Sequence, residues 1–284
     1  MRLAMVEQNG KACVVAVGPD GMHGLAPDHP EYPGDLDALL AGGADLRGIG
    51  ESLLKAPVVR PDSAKFLPPV AKPGKIVCVG FNYKAHSAEA GVELPSYPNL
   101  FARFASTLTG HERAIELPGV SADLDYEGEL AVVMGRAGRG IAEKDALGHV
   151  AGYSIFNDAS IRDYQYRTSQ WLAGKNFDRT GAFGPWLVTP DELPPGCAGL
   201  RVQTRLNGQV MQEGTTASMV FGVPRIIEII SEIMTLSPGD VIITGTPAGV
   251  GYTRTPPVFM KPGDICEVEI EGIGVLRNTI EKQR

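Results

Sequence analysis

The chain has 284 residues, 33 acidic and 26 basic side chains, and a formal charge of −7. That balance shows no basic patch, which excludes nucleic acid and an anionic membrane surface as expected partners. The length suits one large domain, or a large one and a small one, and no apolar run approaches the ~20 residues that cross a bilayer.

Residues 1–6, 12–17 and 21–25 read as short strands, broken by the turn-forming sequences Asn9-Gly10 and Pro19-Asp20-Gly21. Glu7 stands where a secretory signal would need apolar residues, so a cytoplasmic location is expected. A short helix is predicted over 35–41 with Asp35 as its cap. Prolines at 57, 61, 68, 69 and 73 then mark a connection laid over the surface. These features divide the chain into a small β-rich N-terminal domain, residues 1–70, and a larger domain, residues 71–284.

Beyond the boundary, Lys75 to Gly80 is a compact strand and a helix begins within Phe81 to Glu89. The sequence Asp125-Tyr126-Glu127-Gly128-Glu129 runs directly into the apolar Leu130 to Met134. Another strand, 152–156, ends in Asn157-Asp158. Residues 200–211 form a hairpin about Asn207-Gly208, and 221–234 form a helix with a broad isoleucine face. Pro238-Gly239-Asp240 and Pro262-Gly263-Asp264 each precede a β-run, and Gly272-Ile273-Gly274 closes the last hairpin. The fold class is mainly β with some α. Cys13, Cys78, Cys197 and Cys266 form no paired motif and are expected to be buried free thiols.

Charge at the front of a buried strand demands a reason. In an extended chain Glu127 and Glu129 share one face, with Gly128 turned away. Like charges ~4 Å apart repel by about 4 kcal/mol at an effective dielectric near 20, so the pair must take a proton, splay toward water, or share a cation. A solvated edge strand is the other reading of this stretch. With Asp158, the two glutamates offer three oxygen ligands suited to a hard divalent ion, Mg²⁺ first, with Mn²⁺ or Ca²⁺ as alternatives. Asp125 is assigned to a supporting shell or to solvent.

His86 and Glu89 lie three apart at the start of a helix, where a carboxylate can orient an imidazole and raise its basicity. An ordinary surface ion pair has the same spacing. The following residues, 90–95, read as a mobile segment that would let the helix act as a lid. Lys175 is a candidate for neutralising an oxyanion or a substrate carboxylate, or else a surface lysine. Gly245 and Thr246 bring backbone and hydroxyl donors to a strand end, which turn chemistry explains equally well. His23, His29 and His149 are left as structural or surface residues, and His111-Glu112 is set aside because it begins like a zinc-protease helix but lacks the second histidine.

Five ordered groups of residues together resemble the fumarylacetoacetate hydrolase family: Val79 to Tyr83 with His86 and Glu89; Asp125 to Leu130; Asn157-Asp158 with Arg162, Asp163 and Gln165; Gly174-Lys175 with Asp178; and Pro238 to Asp240 through Gly245 to Pro247. The resemblance spans roughly 75–280. It implies mixed β-sheets rolled into a barrel-like core and a homodimer. It also implies Mg²⁺ or Mn²⁺ held by Glu127, Glu129 and Asp158, and catalysis by His86, Glu89, Lys175 and Thr246. Substrate contacts are implied at Tyr83, Arg103, Gln165 and Gly245. Arg103 stands where many members carry lysine, and its planar fork would hold a carboxylate differently.

The expected activity is metal-dependent hydrolysis of a carbon–carbon bond in a 2,4-diketo acid such as an acylpyruvate, by water that His86 activates. An isomerase or decarboxylase of a hydroxymuconate-like diacid or oxaloacetate would use the same site. A non-catalytic small-molecule binding protein is the remaining class, and the intact His86, Glu89 and carboxylate set argue against it.

Overall fold

A computed structural model describes residues 1–8, 10–59 and 65–283. Asn9 of the first expected turn and Pro61 of the proline-rich connection lie outside the described residues. The chain opens with β1 (Arg2–Gln8), β2 (Lys11–Gly18) and β3 (Gly21–Gly24), then α1 (Leu36–Ala41), α2 (Leu46–Leu53), β4 (Val58–Val59) and β5 (Lys65–Leu67). Next come β6 (Ile76–Gly80), α3 (Lys84–Glu89), β7 (Asn99–Arg103), β8 (Leu108–Thr109), β9 (Ile115–Leu117), β10 (Leu124–Asp125) and β11 (Gly128–Met134). The middle of the chain supplies β12 (Val150–Asp158), β13 (Ser160–Ile161), α4 (Arg162–Gln165), α5 (Leu172–Lys175) and β14 (Gly181–Val188). It ends with β15 (Arg201–Leu206), β16 (Gln209–Thr215), α6 (Val223–Ile233), β17 (Val241–Ile243), β18 (Ile265–Ile270) and β19 (Gly274–Lys282).

Local chemistry accounts for many of these boundaries. Asp35 caps α1 by accepting the Ala38 N–H at 2.8 Å. Asn207 and Gly208 both take positive φ, 52° and 80°, as a two-residue hairpin turn of matching twist requires. Helix α2 was not among the expected elements. Asp45 caps it and Leu46, Ile49 and Leu53 recur at helical spacing, but Gly48 and Gly50 weaken its local preference.

Among the described residues, one twelve-stranded mixed sheet follows the path β4-β3-β2-β1-β14-β12-β11-β17-β6-β7, with β5 on β1 and β8 on β14. Its ends, β4 and β7, do not meet. The expected barrel-like closure is therefore corrected to an open sheet, faced by a second, five-stranded sheet in the order β16-β15-β18-β19-β9. The first 70 residues contribute to the large sheet directly, since β1 pairs with β14 through Arg2 to Val188 and Leu3 to Leu187.

Strand β11 runs through the centre and is buried along its whole length. Its alternation divides two cores. Leu130, Val132 and Met134 join Val202, Val268, Leu276 and Ile226, Ile227 and Ile230 of α6, whereas Ala131 and Val133 join Leu3, Leu36, Ile76 and Ile243. The same alternation carries back to the acidic stretch. A Cβ on Gly128 would stand 2.3 Å from Thr204 Oγ1 and 2.8 Å from Val268, on the five-stranded sheet's side. Glu127 and Glu129 consequently face away from that sheet, toward α3 and α5.

Candidate active and metal site

Glu127 lies between β10 and β11, yet its backbone keeps the extended register: its N–H reaches Asn157 Oδ1 at 3.0 Å and its carbonyl accepts the Asp158 N–H at 2.8 Å. This pairing brings Asp158, at the end of β12, beside the glutamates. Ligand oxygens of Glu127, Glu129 and Asp158 all fall within 4.8 Å of one another, and all three side chains are buried.

Three buried cations answer this charge. Lys175 Nζ, carried on α5, donates to Glu127 Oε2 at 2.7 Å and Asp158 Oδ2 at 2.6 Å. Arg103 Nη1 donates to Asp158 Oδ1, and its Nη2 is held by Thr180 at 2.6 Å. Arg162 Nη2 lies 2.7 Å from Glu127 Oε1 and 2.7 Å from Asp125 Oδ2, with its guanidinium 4.3 Å over the Tyr252 ring. Among the described residues Glu129 receives no cation, only the Gly245 N–H.

Four buried carboxylates, Asp125 included, therefore face three buried cations, which leaves one negative charge in excess. The surplus settles on Glu129. Burial, then the neighbouring charges of Asp158 and Glu127, push its carboxyl well above the usual range. For Glu127 burial acts in the same direction, but Lys175 and Arg162 outweigh it and hold the group below its ordinary value. Burial opposes charge on Lys175 too, and Asp158 and Glu127 more than offset it, so the ammonium is retained. A hard divalent ion fits this donor set. It would neutralise the surplus, and each carboxylate has about four lone-pair positions, so oxygens already bonded to nitrogen retain capacity.

Above the carboxylates, His86 Nδ1 lies 3.2 Å from Glu89 Oε2. Glu89 is itself fixed by the Gly249 N–H, at 3.0 and 3.1 Å from its two oxygens. Burial raises the Glu89 carboxyl, but hydrogen bonds from His86, Thr253 and Gly249 prevail and lower it. With Nδ1 engaged by a carboxylate, Nε2 is the imidazole nitrogen left for chemistry. The supporting loop also ties the dyad to the floor of the site. Asp125 accepts the Gly251 and Tyr252 N–H groups at 2.7 and 3.0 Å while holding Arg162 Nε at 2.8 Å.

His86, Glu127, Glu129, Gln165, Lys175 and Thr246 line one cavity, so the structure brings most of the expected residues together. Phe81, Phe101, Trp171 and Tyr252 wall it, and the open space is ≈ 20 Å³, about the room of a single water. Glu89 stands behind His86, and Asp158, wholly buried beside the two glutamates, is not part of the lining. Three other candidates lie elsewhere. Arg103 is wholly buried behind Asp158, where β7 carries it under the sheet, and it braces that carboxylate instead of lining the cavity. Tyr83 is buried outside the lining, its hydroxyl without a hydrogen-bond partner among the described residues. Gly245 commits its N–H to Glu129. The Thr246 hydroxyl lines the cavity but donates to the Gly128 carbonyl at 3.0 Å. Sequence reasoning assigned no role to Arg162, although it fell within a recognised group of residues, and passed over Trp171 and Tyr252 altogether.

The four cysteines are buried and free. No helix among the described residues is long and apolar enough to cross a membrane. His111, set aside in the sequence, accepts the Arg277 N–H at 3.0 Å as a structural group.

Residues 75–281 match the model of the fumarylacetoacetate (FAA) hydrolase C-terminal family. The chain is 42% identical over 264 residues to the oxaloacetate tautomerase FAHD2A, mitochondrial, of Homo sapiens, covering 92% of this chain and 84% of that protein. It is 41% identical over 230 residues to the fumarylacetoacetate hydrolase domain-containing protein 2 homolog of Dictyostelium discoideum, covering 78% and 75%. Among solved structures it is similar to a fumarylacetoacetate hydrolase from psychrophilic Exiguobacterium antarcticum, with TM-score 0.86, 36% identity and full coverage of both chains. It is also similar to the 2-hydroxyhepta-2,4-diene-1,7-dioate isomerase from Mycobacterium marinum, with TM-score 0.77, 31% identity and coverage of 100% and 99%.

Proposed function

The chain belongs to the fumarylacetoacetate hydrolase family, and we propose that within it this protein is a divalent-metal-dependent tautomerase of a small 2-oxo dicarboxylic acid, with oxaloacetate as the leading substrate. One observation carries the choice over carbon–carbon hydrolysis. Stabilising a tetrahedral oxyanion calls for donors aimed at the developing charge. The donors expected to serve are engaged: Lys175 on Glu127 and Asp158, Thr246 on Gly128, and Gly245 on Glu129. A proton transfer needs only a positioned base beside an acidified carbon, and His86 with Glu89 supplies the base. The names of the FAHD2A relative and the Mycobacterium isomerase support the same reading.

Glu127, Glu129 and Asp158 would hold the ion, which when bound supplies Lewis-acid polarisation of the 2-oxo group. His86 Nε2 takes a proton from C3. The C3–H electron pair forms the C2–C3 double bond and negative charge passes to the 2-oxo oxygen, which takes that proton from the His86 imidazolium to complete the enol and leave the imidazole neutral. The reverse direction returns the proton from the imidazolium to C3. Glu89 stabilises that imidazolium and keeps the ring in one orientation. Gln165 lines the cavity with its Oε1 held by Arg162 Nη1 at 2.8 Å, which leaves its Nε2 as the donor for a substrate carboxylate, and the aromatic walls keep bulk water from the carbanion. Substrate entry requires more room than ≈ 20 Å³, so α3 and the segment that follows, with Val92, Leu94 and Tyr97 exposed, would move outward as a lid.

Turnover of oxaloacetate and of an acylpyruvate, compared in ¹⁸O-labelled water with Mg²⁺ or Mn²⁺, tests the choice. The expected result is rapid enol–keto interconversion with no ¹⁸O in an acyl product. Efficient cleavage with label at the acyl carbon would establish hydrolysis instead.

A further inference from the structure

We infer that Gln212, on β16 of the five-stranded sheet, is a positioning residue that sets the angle between the two glutamate ligands through a closed ring of hydrogen bonds around Gly128. The inference rests on the metal-site reading above. Gly128 has to be glycine, because a Cβ would lie 2.3 Å from Thr204 Oγ1. Glycine is also the residue with the least restricted torsions, and it stands between Glu127 and Glu129. Strand β12 restrains the Glu127–Gly128 peptide from one side, through the Asp158 N–H on the Glu127 carbonyl at 2.8 Å, and any rotation left about Gly128 would swing one carboxylate relative to the other.

Both peptide groups flanking the Gly128 Cα are held. The N–H of Gly128, in the peptide from Glu127, donates to Gln212 Oε1 at 3.0 Å. The carbonyl of Gly128, in the peptide to Glu129, accepts the Thr246 hydroxyl at 3.0 Å. Gln212 Nε2 closes the ring by donating to Thr246 Oγ1 at 2.8 Å, and its second proton goes to the Pro247 carbonyl at 2.8 Å. The direction of the amide is fixed chemically. Gly128 N–H offers only a donor and the Pro247 carbonyl only an acceptor, so the reversed amide would oppose like groups at both ends. Gln212 is buried, so water does not compete for these bonds. The ring thus transfers the rigidity of the second sheet to the peptides that aim the ligands.

The test is calorimetric titration of Mn²⁺ into the metal-free full chain. Gln212→Met keeps the side-chain length and removes both hydrogen-bonding ends. Thr246→Val opens the ring at its other corner, and Thr246→Ser restores the hydroxyl. Because supporting-shell changes weaken metal sites by about 10- to 100-fold, that loss is expected for Gln212→Met and Thr246→Val. Near-native affinity is expected for Thr246→Ser. The Gln212→Met/Thr246→Val double variant should be no weaker than the weaker single one, because one ring is broken once. A purely structural role would lower the melting temperature and leave the affinity of the folded protein unchanged. Wild-type binding with an unaltered affinity in Gln212→Met overturns the positioning role, as does full additivity of the two losses. If Gln212→Met does not fold, the contrast between Thr246→Val and Thr246→Ser decides alone. Failure of the wild type to bind Mn²⁺ overturns the metal reading and this inference with it.

Discussion

Lys175 Nζ sits 2.7 Å from Glu127 Oε2 in a pair that neither partner exposes to solvent. A second bond at 2.6 Å joins the same ammonium to Asp158, so one cation holds two of the three carboxylates together. Breaking a buried pair by removing one partner is far more damaging than replacing both. Lys175→Met should therefore lower the stability of the metal-free protein by about 3–5 kcal/mol, measured by denaturant unfolding in the presence of a chelator. Added Mg²⁺ should restore more stability to this variant than to the wild type. Unchanged stability of the metal-free variant would mean that Lys175 does not neutralise the cluster.

Glu129 carries the clearest pH signature. Its carboxyl is held well above the usual range by burial and by Asp158 and Glu127, so the folded protein keeps a proton that the unfolded chain has already lost. Stability from this group is full below the ordinary carboxylate range and declines as pH rises through the raised folded value. The limiting slope for one proton is about 1.4 kcal/mol per pH unit. A divalent ion that takes the proton's place should remove this decline and release the proton, seen as a binding enthalpy that changes with the buffer's own ionisation enthalpy. Buffer-independent enthalpy at neutral pH would show that Glu129 is already ionised.

Gly128→Ala isolates the packing demand at the centre of the site. The added methyl would meet Thr204 Oγ1 at 2.3 Å and Val268 at 2.8 Å, between two sheets that have little freedom to part. Overpacking of this kind costs about 1–3 kcal/mol, and thermal or denaturant unfolding should show a loss in that range together with weakened divalent-ion binding. A variant as stable as the wild type would show that the sheets separate readily at this point.

Much of the fold was legible because local chemistry dictated it. The Asp35 cap, the Asn207-Gly208 turn and the apolar runs of β6, β11 and β17 are each determined by a few neighbouring residues. Helix α2 was missed because Gly48 and Gly50 interrupt a pattern that only packing on the first two strands completes. Sheet closure depends on which edge strands meet, β4 and β7 here, and nothing in either strand announces whether a partner is present. The carboxylate set was legible from spacing two and a strand end. Arg103 was misplaced because a charged residue in sequence does not disclose which side of the sheet receives it. Gln212 was invisible because a single glutamine in a hairpin looks like any surface amide until the 245–247 turn is folded against it.

The central claim is that His86 moves a proton on a 2-oxo acid, and the most direct measurement follows the decay of enol-oxaloacetate absorbance after rapid mixing, with wild type and His86→Ala compared at saturating Mg²⁺. The proposed mechanism predicts strong acceleration by the wild type. It predicts a loss of about 10²- to 10⁴-fold in His86→Ala, with Mg²⁺ affinity unchanged between the two. Equal acceleration by both proteins would contradict the role of His86. No acceleration by metal-loaded wild type would contradict the tautomerase itself.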